Sequence, residues 1–183
     1  RVLIVCWLLF NASYTFADVE TKQTEGTGKK GACFSRQNDQ WSYKISQLKA
    51  NWYYSWGREL REERPKNVEF VPMFWGKWFK DGDIEYLLNL KNQNQIKFVL
   101  GFNEPDSPNQ SNMSVDEAIA LWPKLEAIGL PLGSPATVNP ENKWMINFMQ
   151  KADDLGLRVD FICVHHYGGK NVQGLLYKLH RVH

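Results

Sequence analysis

The chain has 183 residues, 43% of them hydrophobic, and a formal net charge of +2. That apolar share supports one core and excludes a disordered chain. With no basic cluster denser than Lys29-Lys30, the near-balanced charge argues against a nucleic-acid surface.

Taken in chain order, Val2 to Phe10 forms a short apolar block after Arg1, too short to cross a bilayer. Thr15-Phe16-Ala17 then offers a small-x-small cleavage site before Asp18. Residues 1–17 read as a signal peptide, with a buried first strand or helix as the alternative. Residues 18–29 are polar and Thr/Gly-rich and read as a disordered linker, leaving residues 30–183 as one domain. A signal implies a secreted protein, free or associated with a cell wall, and no membrane span is expected. Once Cys6 leaves with the signal, only Cys33 and Cys163 remain, both in apolar runs that suit buried thiols rather than a disulfide framework.

From Lys30 onward strand and helix signals alternate. Gly31 to Phe34 reads as a first strand, followed by a helix-like stretch around Tyr43 to Leu48. Asn51 to Trp56 and Val68 to Gly76 read as the second and third strands, and Asp83 to Leu90 as a helix. The fourth strand, Phe98-Val99-Leu100-Gly101-Phe102, is a continuous apolar run that stops at Asn103-Glu104-Pro105. Such a run suits a strand buried on both faces. Pro105 has no N–H to give the ladder, so pairing is expected to end there. Two adjacent acceptor patterns for N-glycans follow, Asn109-Gln110-Ser111 and Asn112-Met113-Ser114, too close for both to be used easily.

Ser114-Val115-Asp116-Glu117 is a capping box, with Ala118, Leu121, Leu125 and Ile128 at helical spacing behind it and Gly129 to close the helix. Pro123 inside that helix predicts a kink. A fifth strand at Leu130 to Ala136, a helix over Trp144 to Ala152 ending at Gly156, and a sixth strand at Val159 to Val164 follow. The stretch from Val172 to Val182 starts a further helix.

Alternation of this kind predicts βαβ units and a parallel sheet. Six units are visible. An eight-unit barrel needs roughly 250 residues, whereas about 166 remain here once 17 are removed from 183. The architecture is therefore an open doubly wound sheet or a barrel cut short. Gly26 to Gly31 fits neither glycine-rich phosphate loop, which favours the α/β barrel, a (β/α)8 TIM barrel with about its first six units present and the last two missing.

Polar and aromatic clusters gather where strands end: Trp52 and Trp56 with the second, Trp75 and Trp78 with the third, Asn103 and Glu104 with the fourth, and His165, His166 and Tyr167 with the sixth. The carboxyl ends of barrel strands are where such folds build active sites. Glu104 there, partly walled by Phe102 and Trp75, can serve as a general acid; the plainer alternative is a loop cap or a lysine partner. Asn103 can bond a sugar hydroxyl, and Tyr167 can orient a second carboxylate or donate to substrate. Of the eight tryptophans most are expected in the core, but those on loops suit sugar binding, because a pyranose C–H face stacks on aromatic planes. His165-His166 with His180-x-x-His183 hints at metal, but neighbours on a strand end point to opposite sides and no acidic or cysteine cluster joins them. No metal site and no cofactor are expected, and one of the two adjacent histidines is expected in the cleft and the other in the wall.

Four segments in this order, Phe70 to Gly76, Leu100 to Asp106, Leu132 to Ala136 and Asp160 to Tyr167, resemble the catalytic domain of glycoside hydrolase family 128, the alkali-sensitive-linkage type of β-1,3-glucanase. The resemblance implies a (β/α)8 barrel, a β-1,3-glucan polysaccharide or oligosaccharide as partner, and a retaining mechanism; a monomer is expected. It implies Glu104 as acid/base and Asn103, Trp75, His165 and Tyr167 as substrate-binding residues; Trp56, from its place at the second strand's end, is a further substrate-binding candidate. Retention also needs a nucleophilic carboxylate. In that family it is a Glu closing the seventh strand, and no Glu here matches it; Asp106 is too close in sequence to face Glu104 across a sugar. The competing expectation is a non-catalytic secreted β-glucan-binding protein.

Overall fold

The computed structural model describes residues 2–4, 28–35 and 37–182. Of the segment read as a signal peptide, only Val2–Ile4 is described, as strand β1; residue 1, residues 5–17 and most of the linker lie outside the described residues.

The elements that follow are β2 (Gly31–Cys33), α1 (Trp41–Gln47), β3 (Trp52–Tyr54), β4 (Glu69–Phe70), α2 (Asp81–Asn92), β5 (Val99–Leu100), α3 (Val115–Glu126), β6 (Leu132–Gly133), α4 (Lys143–Asp154), β7 (Ile162–Val164) and α5 (Val172–Val182). All strand pairs are parallel. β2 pairs with β3 (Gly31 opposite Trp52) and β3 with β4 (Trp52 opposite Glu69). A bridge between Met73 and Leu100 hands the ladder to β5, β5 pairs with β6, and a bridge between Gly133 and Phe161 hands it on to β7. β1 lies beside β7, Val2 opposite Ile162. Among the described residues no pairing joins β1 to β2, so the strands do not close into a barrel.

The observed strands are shorter than the apolar runs predicted. The run at 68–76 gives only Glu69–Phe70 as strand and one further bridge at Met73. Pro72 has no N–H, so the ladder passes it through its carbonyl, which accepts from Leu100 at 2.9 Å. The link from β3 to β4 contains no α-helix. It is tied to α2 by Arg58–Asp83 at 3.1 Å and by the Leu60 N–H donating to the Tyr86 hydroxyl at 3.0 Å.

Both faces of the sheet are buried. Trp52, Tyr54, Val71, Met73, Leu100, Phe161 and Cys163 share one cluster, while Tyr53, Phe70, Phe74, Val99 and Phe102 join the helices in the other. The two-residue period of a strand does the sorting: Tyr53 and Tyr54, or Val99 and Leu100, go to opposite clusters. This is why the strands read as unbroken apolar runs rather than alternating ones.

The capping box of α3 forms as expected: Glu117 N–H donates to the Ser114 hydroxyl at 3.1 Å and Ser114 N–H to the Glu117 carboxylate at 2.8 Å. Glu117 also accepts from Lys77 at 2.6 Å. The Lys77 hydrogen bond first, and then the Ser114 N–H, hold its carboxyl below the usual range. The helix runs on through Pro123 to Glu126. Leu121 packs against the core as the spacing predicts, and Trp122 beside it is fully buried, donates its indole N–H to the Arg158 carbonyl at 2.9 Å, and meets Phe102 and Phe148 edge to face. Gly129 and Gly156, at φ +68° and +66°, end α3 and α4 in the left-handed conformation that favours glycine. No residue of α5 is fully buried, and Val172, Leu176 and Tyr177 are exposed.

Close approach of strand ends makes Gly101 obligatory. A Cβ there would sit 2.8 Å from the Gly133 carbonyl oxygen and 3.0 Å from the Pro135 nitrogen, both backbone atoms that cannot swing away. Gly101→Ala is expected to destabilise the protein by about 2 kcal/mol in urea unfolding. Ser114→Ala, which removes the α3 cap, is expected to cost about 1 kcal/mol in the same assay. Because Glu117's carboxyl is held low, its part of the cap is present above the usual carboxylate range and fades as pH drops below it.

Candidate active site

The site begins with two consecutive peptide groups. Asn103 N–H donates to the Trp75 carbonyl at 3.0 Å, and Glu104 N–H donates to the Ala136 carbonyl at 2.7 Å. Residues 103 and 104 are thus held between the chain extending β4 and the chain extending β6. Pro105 follows with no donor, and the ladder stops where the sequence predicts. Glu104 itself sits at φ +43°, in the left-handed region. For a residue other than glycine this costs of order 1 kcal/mol, sustained here by bonding on both sides.

Glu104 is 7% exposed. One of its oxygens, Oε1, faces His165 Nδ1 at 2.8 Å and accepts the Tyr167 hydroxyl proton, and the Tyr167 oxygen lies 3.1 Å from His165 Nδ1. Among the described residues no donor reaches the second oxygen, Oε2, and it is not among the sealed polar atoms without a partner. The carboxyl group therefore has one oxygen fixed by protein and one open. Tyr167's ring is exposed, but its hydroxyl end turns inward; burial of that end, then the hydrogen bond from Tyr167 to Glu104, push the phenol above its ordinary range.

Asn103 is buried beside it, its Nδ2 donating to Gln110 Oε1 at 3.1 Å. Trp75 is half-buried and stacks on the exposed Trp78, centroids 5.6 Å apart and planes 26° apart. Trp56 is half-buried at φ +54° and sets its ring edge to face on Tyr54 at 5.2 Å. Of the six residues singled out from the sequence, Glu104, His165 and Tyr167 meet directly and Asn103 adjoins them. Trp75 touches them through its carbonyl, and Trp56 packs on Tyr54 in the cluster beneath. Trp52 departs from expectation: it opens β3 instead of ending it, is buried, and donates to the Lys29 carbonyl at 3.1 Å.

The adjacent histidines take different partners. His165 joins Glu104, whereas His166 points away, its Nε2 3.2 Å from the Asn171 carbonyl. His180 is exposed and His183 lies outside the described residues. Among the described residues no three His, Cys, Asp or Glu side chains gather as a metal group. Asp106 accepts from Val138 N–H at 3.1 Å and the Asn142 amide at 2.6 Å, holding the loop that leads into α4. Asn109 and Asn112 are exposed, while Ser111 is buried. Gln110 and Tyr54 were not foreseen: Gln110 is one loop polar residue among many, and Tyr54 carries no sequence sign of lying under the site.

Residues 31–183 match the protein family described as the glycosyl hydrolase catalytic core. The chain belongs to this family, in glycoside hydrolase family 128. It is 32% identical over 140 residues to alkali-sensitive linkage protein 1 of Schizosaccharomyces pombe, covering 64% of this chain and 22% of that protein. A subgroup I endo-β-1,3-glucanase of the same family from Amycolatopsis mediterranei, solved as a mutant with laminaripentaose, is 33% identical with a TM-score of 0.71 over 85% of this chain and 66% of that one. A subgroup II endo-β-1,3-glucanase from Sorangium cellulosum is 26% identical with a TM-score of 0.64 over 83% of this chain and 68% of that one. This family 128 chain thus spans under a quarter of its curated relative and about two thirds of the solved enzymes.

A small cavity beneath His165 is lined by Tyr54, Met73, Gly101, Ser134 and Cys163. Burial pushes the Cys163 thiol up to about 12, against a smaller opposing effect from the Ser134 hydroxyl. Among the described residues Cys163 forms no disulfide. Cys163 is expected to resist iodoacetamide at pH 8 in the folded protein and to react fully in urea, as read by mass spectrometry of the peptide that contains it.

Proposed function

We propose that this chain carries the acid/base part of a retaining β-1,3-glucan hydrolase, in a secreted, monomeric protein built on a (β/α)8 barrel of which these residues supply about the first six units. The observation that carries the reading is Glu104 at the end of β5, with Oε1 engaged by His165 and Tyr167 and Oε2 left open. Family membership and the endo-β-1,3-glucanase activity named for its solved relatives support the substrate class.

In this reading a glucan chain lies across the strand ends with a sugar face on the Trp75–Trp78 pair and a ring hydroxyl on Asn103. Glu104 gives its proton to the departing glycosidic oxygen as a second carboxylate, outside the described residues and roughly 5–5.5 Å away, attacks the anomeric carbon. The C–O bond breaks, a glycosyl ester forms, and the aglycone leaves protonated. Glu104, now a carboxylate, takes a proton from the water that cleaves the ester, which restores both groups. His165 and Tyr167 hold the carboxyl oriented through both steps. Two-carboxylate chemistry of this kind calls for no cofactor.

A second reading, a glucan-binding protein without hydrolysis, is favoured by one feature: among the described residues no second Asp or Glu is hydrogen-bonded into the Glu104 cluster. Reducing-sugar release from laminarin separates the two. Joined to the rest of a family 128 domain, the sequence is expected to release reducing sugar, and Glu104→Gln to lower the rate by about 10³-fold with oligosaccharide binding retained. The 183-residue chain alone is expected to bind laminari-oligosaccharides and release none. Undiminished hydrolysis in Glu104→Gln refutes the assignment of Glu104, and a joined domain that binds without hydrolysing establishes the second reading.

A further inference from the structure

We propose that Gln110 is a positioning residue that sets which edge of the Asn103 amide faces the substrate. The inference rests on the reading of Asn103 as a residue of the glucan cleft, and it concerns a side chain outside that cleft's direct contacts.

Asn103 presents a donor edge and an acceptor edge that differ little in shape and are opposite in chemistry. Here the donor edge is already used: Nδ2 gives a proton to Gln110 Oε1 at 3.1 Å. Among the described residues no donor reaches Oδ1, and Oδ1 is not among the sealed polar atoms without a partner. The available edge is therefore an acceptor, suited to a sugar hydroxyl that donates. An amide pair can be joined either way round, so Gln110 also determines the opposite case. Were its Nε2 turned to Asn103 Oδ1, the cleft would meet Nδ2, and a substrate hydroxyl would have to accept.

Gln110 can do this because its backbone is held. Its N–H donates to the Ser107 carbonyl at 3.0 Å, and the loop is closed by Met113 N–H on the Pro105 carbonyl at 3.0 Å. Ser111 is fully buried, with its Cβ 2.9 Å from where a Cβ on Gly76 would lie, so the loop packs on the turn that carries Trp75 and Trp78. Trp144 adds a hydrogen bond from its indole to the Met113 carbonyl at 2.7 Å. The same loop therefore sets Gln110 against Asn103 and braces the aromatic pair.

Three substitutions at one position test the edge directly. Gln110→Glu can only accept, Gln110→Lys can only donate, and Gln110→Met can do neither. Laminaritriose binding to the 183-residue chain is measured by calorimetry, with a thermal melt for each variant. Gln110→Glu is expected to keep affinity within about threefold, while Gln110→Lys and Gln110→Met each weaken it by about tenfold or more without a matching change in melting temperature. Adding Asn103→Asp to Gln110→Lys, which restores an acceptor toward the cleft, is expected to recover most of the loss. Lys retaining affinity while Glu loses it, or effects of Gln110→Met and Asn103→Ala that simply add, overturn the proposal. A readout that needs no glucan accompanies these. In the ¹⁵N-labelled chain one Asn103 side-chain amide proton is expected to be protected from exchange in wild type and Gln110→Glu and unprotected in Gln110→Met. Absence of that protection in wild type overturns the inference, whereas its presence with no laminaritriose binding sustains the Asn103–Gln110 pair and refutes the glucan reading.

Discussion

Two backbone hydrogen bonds on opposite sides of one chain decide where the chemistry sits. Asn103 N–H reaches the Trp75 carbonyl and Glu104 N–H reaches the Ala136 carbonyl. Through them the residues after β5 are locked to both neighbours at once. Side chains in extended backbone alternate between faces, so a slip of one residue in this register would send Glu104 to the opposite side. Pro105 prevents the ladder from continuing, and the chain departs with Glu104 at positive φ. A carboxylate held in this way has little freedom to collapse onto a lysine, and its partners, His165 and Tyr167, come from another strand.

The register depends in turn on a sheet buried on both faces. Strands of two or three residues bring few hydrogen bonds of their own; what keeps them in line is the sorting of side chains into two apolar clusters. Trp122 anchors the helical side and links α3, α4 and β5 through Phe148 and Phe102. On the other side, Gly101 and Gly133 let strands pass so closely that the chain below Glu104 has no room for a methyl group. Tight packing beneath the site and openness above it are thus parts of one arrangement: the apolar interior fixes the strand ends, and the polar residues lie just beyond it.

Much of this was legible in residue order. The capping box at Ser114 and Glu117, the closing glycines and the stop at Pro105 are local rules, and local rules survive folding. The strands are shorter than their apolar runs because buried strands and buried connecting chain have the same apolar composition, and because Pro72 gives the ladder only its carbonyl while leaving the hydrophobic run intact. Helical spacing places Leu121 on the inner side of α3, and it packs against the core there; the spacing does not single out Trp122, whose larger ring is fully buried between two helices and still finds a carbonyl for its indole N–H. Trp52 was misplaced for a related reason: its position relative to the strand's end depends on where pairing with Gly31 begins. Gln110 gave no signal, since a polar residue in a polar loop acquires its meaning only from the neighbour it meets.

By itself the sequence determined that Asn103-Glu104-Pro105 ends an apolar strand, because an apolar run, a carboxylate and a missing N–H are properties of consecutive residues. It likewise carried the order of strands and helices, and the four segments that resemble family 128. Only the tertiary structure decided which oxygen of Glu104 is occupied, that His165 and not His166 faces it, and which edge of Asn103 is spent on Gln110. Those outcomes depend on contacts between residues 61 positions apart, as from Glu104 to His165, or on the orientation of an amide. Both are set by packing and register, which no stretch of neighbouring residues contains.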